Sequence, residues 1–163
     1  MTTSDHHIRL SSPILAAAAA YHAELRTRLT QRTEAFIGAI AAGSSSEVAR
    51  RELIAFLRTE LLPHAEVEDA LLYTAVRTVT TGPLARAMQD EHRMIAALID
   101  EVEQATTPMD AAVAAGALVV LCDVRIKQED VHLLPALEAA GIDLSDLLGH
   151  HPEIVGKTTA RRS

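Results

Sequence analysis

The sequence predicts an all-α protein, an antiparallel up-down-up-down four-helix bundle. Nearly half of its 163 residues are apolar, mostly Ala and Leu, and only four are aromatic. Such a composition suits packed helices better than strands. Apolar residues recur at spacings of three and four, and no segment alternates with the period of two that strands need. Four such stretches with short connections indicate neighbouring antiparallel helices.

The first two helices have recognisable start signals. The first is expected over residues 13–42, with Ser12 as N-cap and a proline at the first helical position. The second is expected over residues 44–79, where Ser44 and Glu47 form a capping-box pattern. Pro63 falls inside it and removes one backbone donor, which predicts a kink.

The last two helices follow the same logic. A turn at residues 80–83 precedes the third, expected over 83–105. Thr107 and Pro108 repeat the cap-plus-proline start of the fourth, which is expected to run to about residue 140 before Gly141. Residues 142–149 are expected to form one short turn over an end of the bundle.

The predicted domain organisation is a single bundle between two tails. Residues 1–12 and 150–163 read as loose, polar ends, and residues 13–149 contain the bundle. The net charge of −7 argues against nucleic acid or an anionic membrane as main partner. Cys122 is the single cysteine, the longest apolar run is too short for a bilayer, and the start carries no signal-peptide pattern. We therefore expect a cytoplasmic protein.

The second helix carries two polar residues where an apolar core stripe is expected. His64 and Glu68 lie four apart, on one helix face. Neither side chain is usual in a core unless something satisfies it. The complete stripe, at steps of four and three, is Leu57, Leu61, His64, Glu68, Leu71 and Ala75.

The two halves of the chain repeat at these polar positions. The third helix overlays the first at an offset of 70, which pairs His22 with His92. The fourth overlays the second at an offset of 61, which pairs Glu68 with Glu129. Converging His and Glu side chains inside a bundle are how helical proteins hold two iron or manganese ions. Without such compensation, burying each carboxylate would cost several kcal/mol, a rough estimate.

Three motifs resemble the hemerythrin-like, or HHE cation-binding, family. LLPHAEVEDALLYTAV resembles its second-helix H-x-x-x-E signature, EHRMI its third-helix histidine motif, and QEDVHLLPAL the end of its fourth-helix signature. The resemblance covers roughly residues 13–140. It implies a bundle with a non-heme iron centre, in many members di-iron with bridging carboxylates. Such a protein binds, senses or detoxifies a small oxidant, such as dioxygen, peroxide or nitric oxide.

The resemblance also implies a ligand set. His22 and His64 would bind one iron and His92 the other, while Glu68 and Glu129 would bridge them. No oligomeric state follows from it.

The chain departs from the family pattern at Arg125, where a histidine is expected. Arginine has no lone pair to give and cannot be a ligand. Gln89, the nearest counterpart of an additional family histidine, offers only a weak oxygen ligand. A second metal relocated to Glu129 and His132 is an alternative, less favoured than a half-exposed His132 near the bundle end.

Other interpretations stay open on the sequence. The chain can hold one metal, with Arg125 in place of the second ion's charge, or it can be a metal-free regulatory or interaction bundle. A ferritin-like oxidase has weaker support. Cys122 is expected to be a small core residue, and lowering of its pKa by a nearby guanidinium is the less favoured reading.

Overall fold

The computed structural model describes residues 12–79 and 82–157, without the side chains at positions 73, 77–79 and 82–85. Regular structure in these ranges is helical and includes no strand, which confirms the predicted all-α class. In chain order the elements are α1 (Pro13–Ala41), α2 (Glu47–Phe56), π1 (Leu57–Leu61), α3 (Leu62–Val79), α4 (Gly82–Gln104), α5 (Pro108–Gln128), π2 (Glu129–Leu133), α6 (Leu134–Ala139), α7 (Leu144–Leu148) and α8 (Pro152–Val155).

Three of the predicted helix boundaries are confirmed by their hydrogen bonds. The Ser12 hydroxyl accepts from the backbone N–H of Leu15 at the start of α1, and Thr107 accepts from Asp110 at the start of α5. Gly141 follows α6 at φ 85°, with its N–H and that of the next residue bonded back to the last turn. This is the glycine-dependent C-cap that the sequence predicts.

The capping box predicted at Ser44 is wrong. The second helix begins at Glu47 with Ser46 as N-cap, and no side chain caps it. Gly43, at φ 65°, turns the chain back over the end of α1, so both the N–H and the hydroxyl of Ser44 donate to the carbonyl of Ala39. Ser44 therefore closes the first helix and does not open the second.

Two π-helical turns interrupt the long helices, and each ends two residues before a proline. The irregularity expected before His64 takes this form in π1, ahead of Pro63, and π2 lies ahead of Pro135. A π turn holds one more residue than an α turn. Counting by three and four from Arg125 and Glu129 would place His132 and Ala136 inward. Because π2 holds one more residue, Leu133 and Leu137 are buried instead.

The core consists of two apolar clusters with a polar layer between them. Helix α1 packs against α2 and α5, and α4 packs against α3 and α5. The first cluster includes Leu25, Leu29, Phe36, Leu53, Leu57, Ile99, Leu118 and Cys122. The second includes Ile14, Ala18, Leu72, Leu133, Leu137, Leu148, Ile154 and Val155. The polar stripe positions fall between the two clusters on α1, α3 and the α5–π2 segment, which places the candidate site near the middle of the helices.

The end of the described chain differs from the expected loose tail. Helix α7 buries Leu144 and Leu148 over the bundle, as predicted for residues 142–149. Helix α8 then packs against α1 and α3 with Ile154 and Val155 buried, so residues 150–157 are part of the fold. The expected tail at 1–11, the turn residues 80–81 and residues 158–163 lie outside the described residues.

None of the helices within the described ranges combines the length and apolarity needed to cross a membrane.

Candidate metal centre

The polar layer brings together all five residues singled out in the sequence. His22 comes from α1, His64 and Glu68 from α3, His92 from α4 and Glu129 from the start of π2. His22 and Glu129 are each 1% exposed, so the layer is closed to bulk water on these sides. The described residues contain two groups able to hold a metal ion, and both use Glu68.

The first group is His22, His64 and Glu68. Nε2 of His22 lies 3.0 Å from Oε1 of Glu68, and Nε2 of His64 lies 3.1 Å from the same oxygen. The two imidazole rings meet edge to face, with centroids 5.0 Å apart. Two imidazole nitrogens and a carboxylate oxygen therefore face one small volume, and this donor set suits iron, zinc or copper.

Each of the three histidines is fixed by a hydrogen bond at Nδ1. The Nδ1–H group of His22 donates to Asp130 at 2.7 Å, and that of His92 donates to Asp69 at 3.2 Å. Nδ1 of His64 donates to the backbone carbonyl of Glu153 at 2.6 Å. A bond at Nδ1 leaves the Nε2 lone pair of a neutral imidazole for a metal. All three Nε2 atoms point toward Glu68. Hydrogen-bond partners at Nδ1 orient metal-binding histidines in this way.

The second group, Glu68, His92 and Glu129, is looser. Nε2 of His92 lies 3.9 Å from Oε2 of Glu68, and Oε2 of Glu129 lies 3.8 Å from Nε2 of His22. Among the described residues, Nε2 of His92 and Oε2 of Glu129 have no hydrogen-bond partner, whereas Oε1 of Glu129 is ion-paired with Arg125. Buried polar atoms without partners are rare in folded proteins. A cation between these side chains would satisfy them, so the residues fit a metal at this position as well.

Comparison with protein-family models matches residues 14–137 of this chain to the hemerythrin HHE cation binding domain. The chain belongs to the hemerythrin HHE family. Neither the curated proteins nor the solved structures provide a match. The match extends from α1 to α6, and it includes all five candidate ligands.

Arg125 replaces the expected family histidine and lies inside the polar layer, 3% exposed. Its Nη1 donates to the carbonyl of Met88 and to Glu91, both at 3.2 Å. Its Nη2 lies 2.5 Å from Oε1 of Glu129. The guanidinium therefore occupies the side of Glu129 that faces away from His22, and it supplies a positive charge where the family pattern supplies a ligand.

The remaining sequence candidates lie outside both groups. His132 is exposed on π2, because the π turn rotates it away from the stripe, so the relocated Glu129–His132 metal is wrong. Gln89 is half-buried and lines a cavity of about 250 Å³ beside His92 and Asp69. Of the second group, His92 lines this cavity, which lies between α3 and α4 and which sequence reasoning did not identify.

Electrostatics in the layer favour a bound cation. Burial alone would raise the pKa of Glu68, but His64, His22 and His92 hold it well below its usual range. Burial and the nearby charge of Glu68 raise the pKa of Glu129 well above its usual range, against the opposing effect of Arg125. Two carboxylates in one buried layer repel, and a metal between them removes that repulsion.

His22 carries the clearest sign of competition between a proton and a metal. Burial acts to lower its pKa, but hydrogen bonds with Asp130 and Glu68 outweigh burial and raise the pKa to about 10. In the metal-free protein its Nε2 is therefore protonated at neutral pH, and a metal at this atom displaces that proton.

The outer-shell residues are what sequence reasoning missed. Asp69 and Asp130 each follow a candidate ligand, and they align in the internal repeat, so the paired acids were a signal for their role. The Glu153 carbonyl has no side-chain signature. It lies 89 residues from His64 and in a segment that read as a loose tail.

Proposed function

We propose that this chain is a non-heme iron protein of the di-iron type that binds, senses or detoxifies a small oxidant such as dioxygen, peroxide or nitric oxide. The observation that carries the proposal is the convergence of three Nδ1-anchored histidines on one buried carboxylate, Glu68. His22, His64 and Glu68 hold the first ion, and Glu68, His92 and Glu129 hold the second. Bound iron supplies a redox-active centre that coordinates small oxidants.

The protein's own contribution is orientation and exclusion of water. Asp130, Asp69 and the Glu153 carbonyl hold the imidazoles with Nε2 inward. The two apolar clusters close the layer from both ends along the helices. The cavity of about 250 Å³ beside His92 is large enough for a diatomic molecule or peroxide, and it gives such a ligand a path to the second position.

A single-ion centre is the second candidate function, favoured by one specific contact. Arg125 pairs with Glu129 at 2.5 Å and so offsets part of the charge that a second ion would neutralise. In this case only His22, His64 and Glu68 bind iron strongly, and Glu129 stays with Arg125.

The arrangement proposed for the chain is an up-down-up-down bundle in the cytoplasm, within a domain that extends past the predicted residue 149 to include α8. The packing of α1 on α2 and α5, and of α4 on α3 and α5, supports this order of four helical segments. A single, buried cysteine suits the reducing compartment.

A metal count tests the proposal directly. Protein purified from iron-supplied cells is analysed for iron per chain, and the iron-loaded protein is titrated with peroxide and with nitric oxide while its near-ultraviolet and visible absorption is recorded. Close to two irons per chain, with a spectral change on titration, supports the di-iron proposal. A count close to one supports the single-ion form, and iron-free protein after reconstitution overturns both.

A further inference from the structure

The contact between His64 and the C-terminal segment, residues 150–157, ties one candidate ligand to a distant part of the chain. Nδ1 of His64 lies 2.6 Å from the carbonyl oxygen of Glu153 in α8. A carbonyl only accepts, so the imidazole nitrogen carries the proton. Carbonyls in the last turn of a helix lack intrahelical donors, which leaves this one available to His64.

The segment is fixed in place by its own burial. Ile154 and Val155, the last two residues of α8, are 2% and 3% exposed and belong to the second apolar cluster. Helix α8 packs on both α1 and α3, the two helices that carry His22 and His64. The position of the Glu153 carbonyl is therefore set by apolar packing and does not depend on the Glu153 side chain.

Tyr21 completes the contact from the side of α1. Its ring lies edge-on to the ring of His64, with centroids 5.7 Å apart. On the segment, Gly156 adopts φ 75°, and a Cβ there would meet Cδ2 of Tyr21 at 3.4 Å. The imidazole is thus in contact with an aromatic ring and with a backbone acceptor that are both held by the same short segment.

We propose that residues 150–157 act as a positioning element for the metal centre: the Glu153 carbonyl accepts from Nδ1–H of His64 and fixes the ring orientation, so that Nε2 faces Glu68. This inference rests on the proposed function and extends it to a part of the chain outside the span matched by the family. Without this acceptor, no hydrogen bond at Nδ1 holds the His64 ring in the orientation that directs Nε2 toward Glu68. Loss of an outer-shell partner typically lowers metal affinity about 10–100-fold.

A matched pair of core substitutions separates positioning from stability. Ile154→Ala releases the segment, whereas Leu144→Ala removes an equally buried side chain of the same cluster from a different helix, α7. Both variants are checked for helicity by circular dichroism, and Fe²⁺ alone is titrated anaerobically in competition with a chelator. We expect Ile154→Ala to weaken the first equivalent about 10–100-fold and Leu144→Ala to leave it within about twofold of wild type.

The hydrogen bond at Nδ1 is measured independently of metal binding. Long-range ¹H–¹⁵N correlation spectra of the metal-free protein show whether Nδ1 of His64 carries a hydrogen-bonded proton. We expect a hydrogen-bonded Nδ1 proton on His64 in wild type and in Leu144→Ala, and the loss or shift of that proton signal in Ile154→Ala. If Ile154→Ala does not fold, Ile154→Val gives the same measurement with a smaller release of the segment.

The outcomes separate this inference from the proposed function. Wild-type protein that binds no iron overturns the proposed function, while the nitrogen spectra still decide whether residues 150–157 hold Nδ1 of His64. Iron binding that weakens equally in both variants, with His64 unchanged in its spectra, overturns the positioning role and leaves the metal centre intact.

Discussion

Arg125 Nη2 lies 2.5 Å from Glu129 Oε1, one turn along the same helical segment. The side chain that replaces a family histidine therefore contacts the very carboxylate that is expected to bridge two ions. Arg125 is also held by Glu91 and by the carbonyl of Met88, so the guanidinium is fixed on that side of Glu129. The two sites are unequal as a result: the first has all its donors free of Arg125, and the second must share Glu129 with it.

Replacing the guanidinium by imidazole is expected to strengthen the second site. Arg125→His removes the competing charge and adds a nitrogen ligand, so the second Fe²⁺ equivalent should bind at least about tenfold more tightly, since even an outer-shell partner changes metal affinity about 10–100-fold. Arg125→Leu, which removes the charge and adds no ligand, is the control. Isothermal titration of Fe²⁺ under anaerobic conditions measures the affinity for the second equivalent in both variants. An unchanged affinity in Arg125→His would contradict this assignment.

Removing the first-site imidazole is expected to abolish tight binding. His64→Ala deletes one of two nitrogens on the first ion, and we expect iron content after desalting to fall below half of the wild-type value. His132→Ala is the matched control, because His132 is exposed on π2 and belongs to neither group. Elemental analysis measures the iron content of wild type, His64→Ala and His132→Ala. Equal iron in all of them would place the metal elsewhere, and no iron in any would favour the metal-free bundle.

Local signals in the sequence predicted most of the helices and the inward positions of the site. The spacing of His22, His64, Glu68 and His92 follows the ordinary helical repeat on stretches without irregular turns, so counting by three and four places them correctly. Beyond π2 the same counting fails. Pro135 marks an irregularity but does not show how many residues the turn before it holds, so the sequence does not distinguish whether His132 or Leu133 faces inward.

Long-range contacts account for the rest of what the sequence could not predict. Ser44 could cap the next helix or close the previous one, and the left-handed backbone at Gly43 decides for the latter. The carbonyl of Glu153 is a backbone group, which every residue has, so nothing in the pattern distinguishes it. Its role depends on α8 packing against α1 and α3, a contact between the two ends of the described chain.

Cys122 is expected to be unreactive in the folded protein. Burial raises the pKa of its thiol to about 12, with added effects from Glu68 and Asp123, which contradicts the idea that Arg125 activates it. The thiolate is the reactive form, so iodoacetamide at pH 8 should leave the native protein unmodified within an hour and label it completely in denaturant. Intact-mass spectrometry measures the label. Rapid modification of the native protein would show that the first apolar cluster opens around the thiol.

The buried ion pair is expected to stabilise the metal-free protein only as long as both partners are present. Glu129→Leu leaves the Arg125 charge in the layer with Glu91 and the Met88 carbonyl as its remaining partners, and we expect a loss of about 3 kcal/mol, the low end for a broken buried pair. The double variant, in which Arg125 is also changed to Leu, should recover most of that loss, since apolar replacements of a buried pair are often neutral. Urea unfolding of chelator-treated protein measures the free energy of unfolding of wild type, of Glu129→Leu and of the double variant.

Asp123→Ala breaks the exposed pair with Arg26 and serves as the surface control, with an expected change in the free energy of unfolding below about 1 kcal/mol. A single Glu129→Leu variant as stable as this control would mean that the Arg125 charge is already satisfied without Glu129.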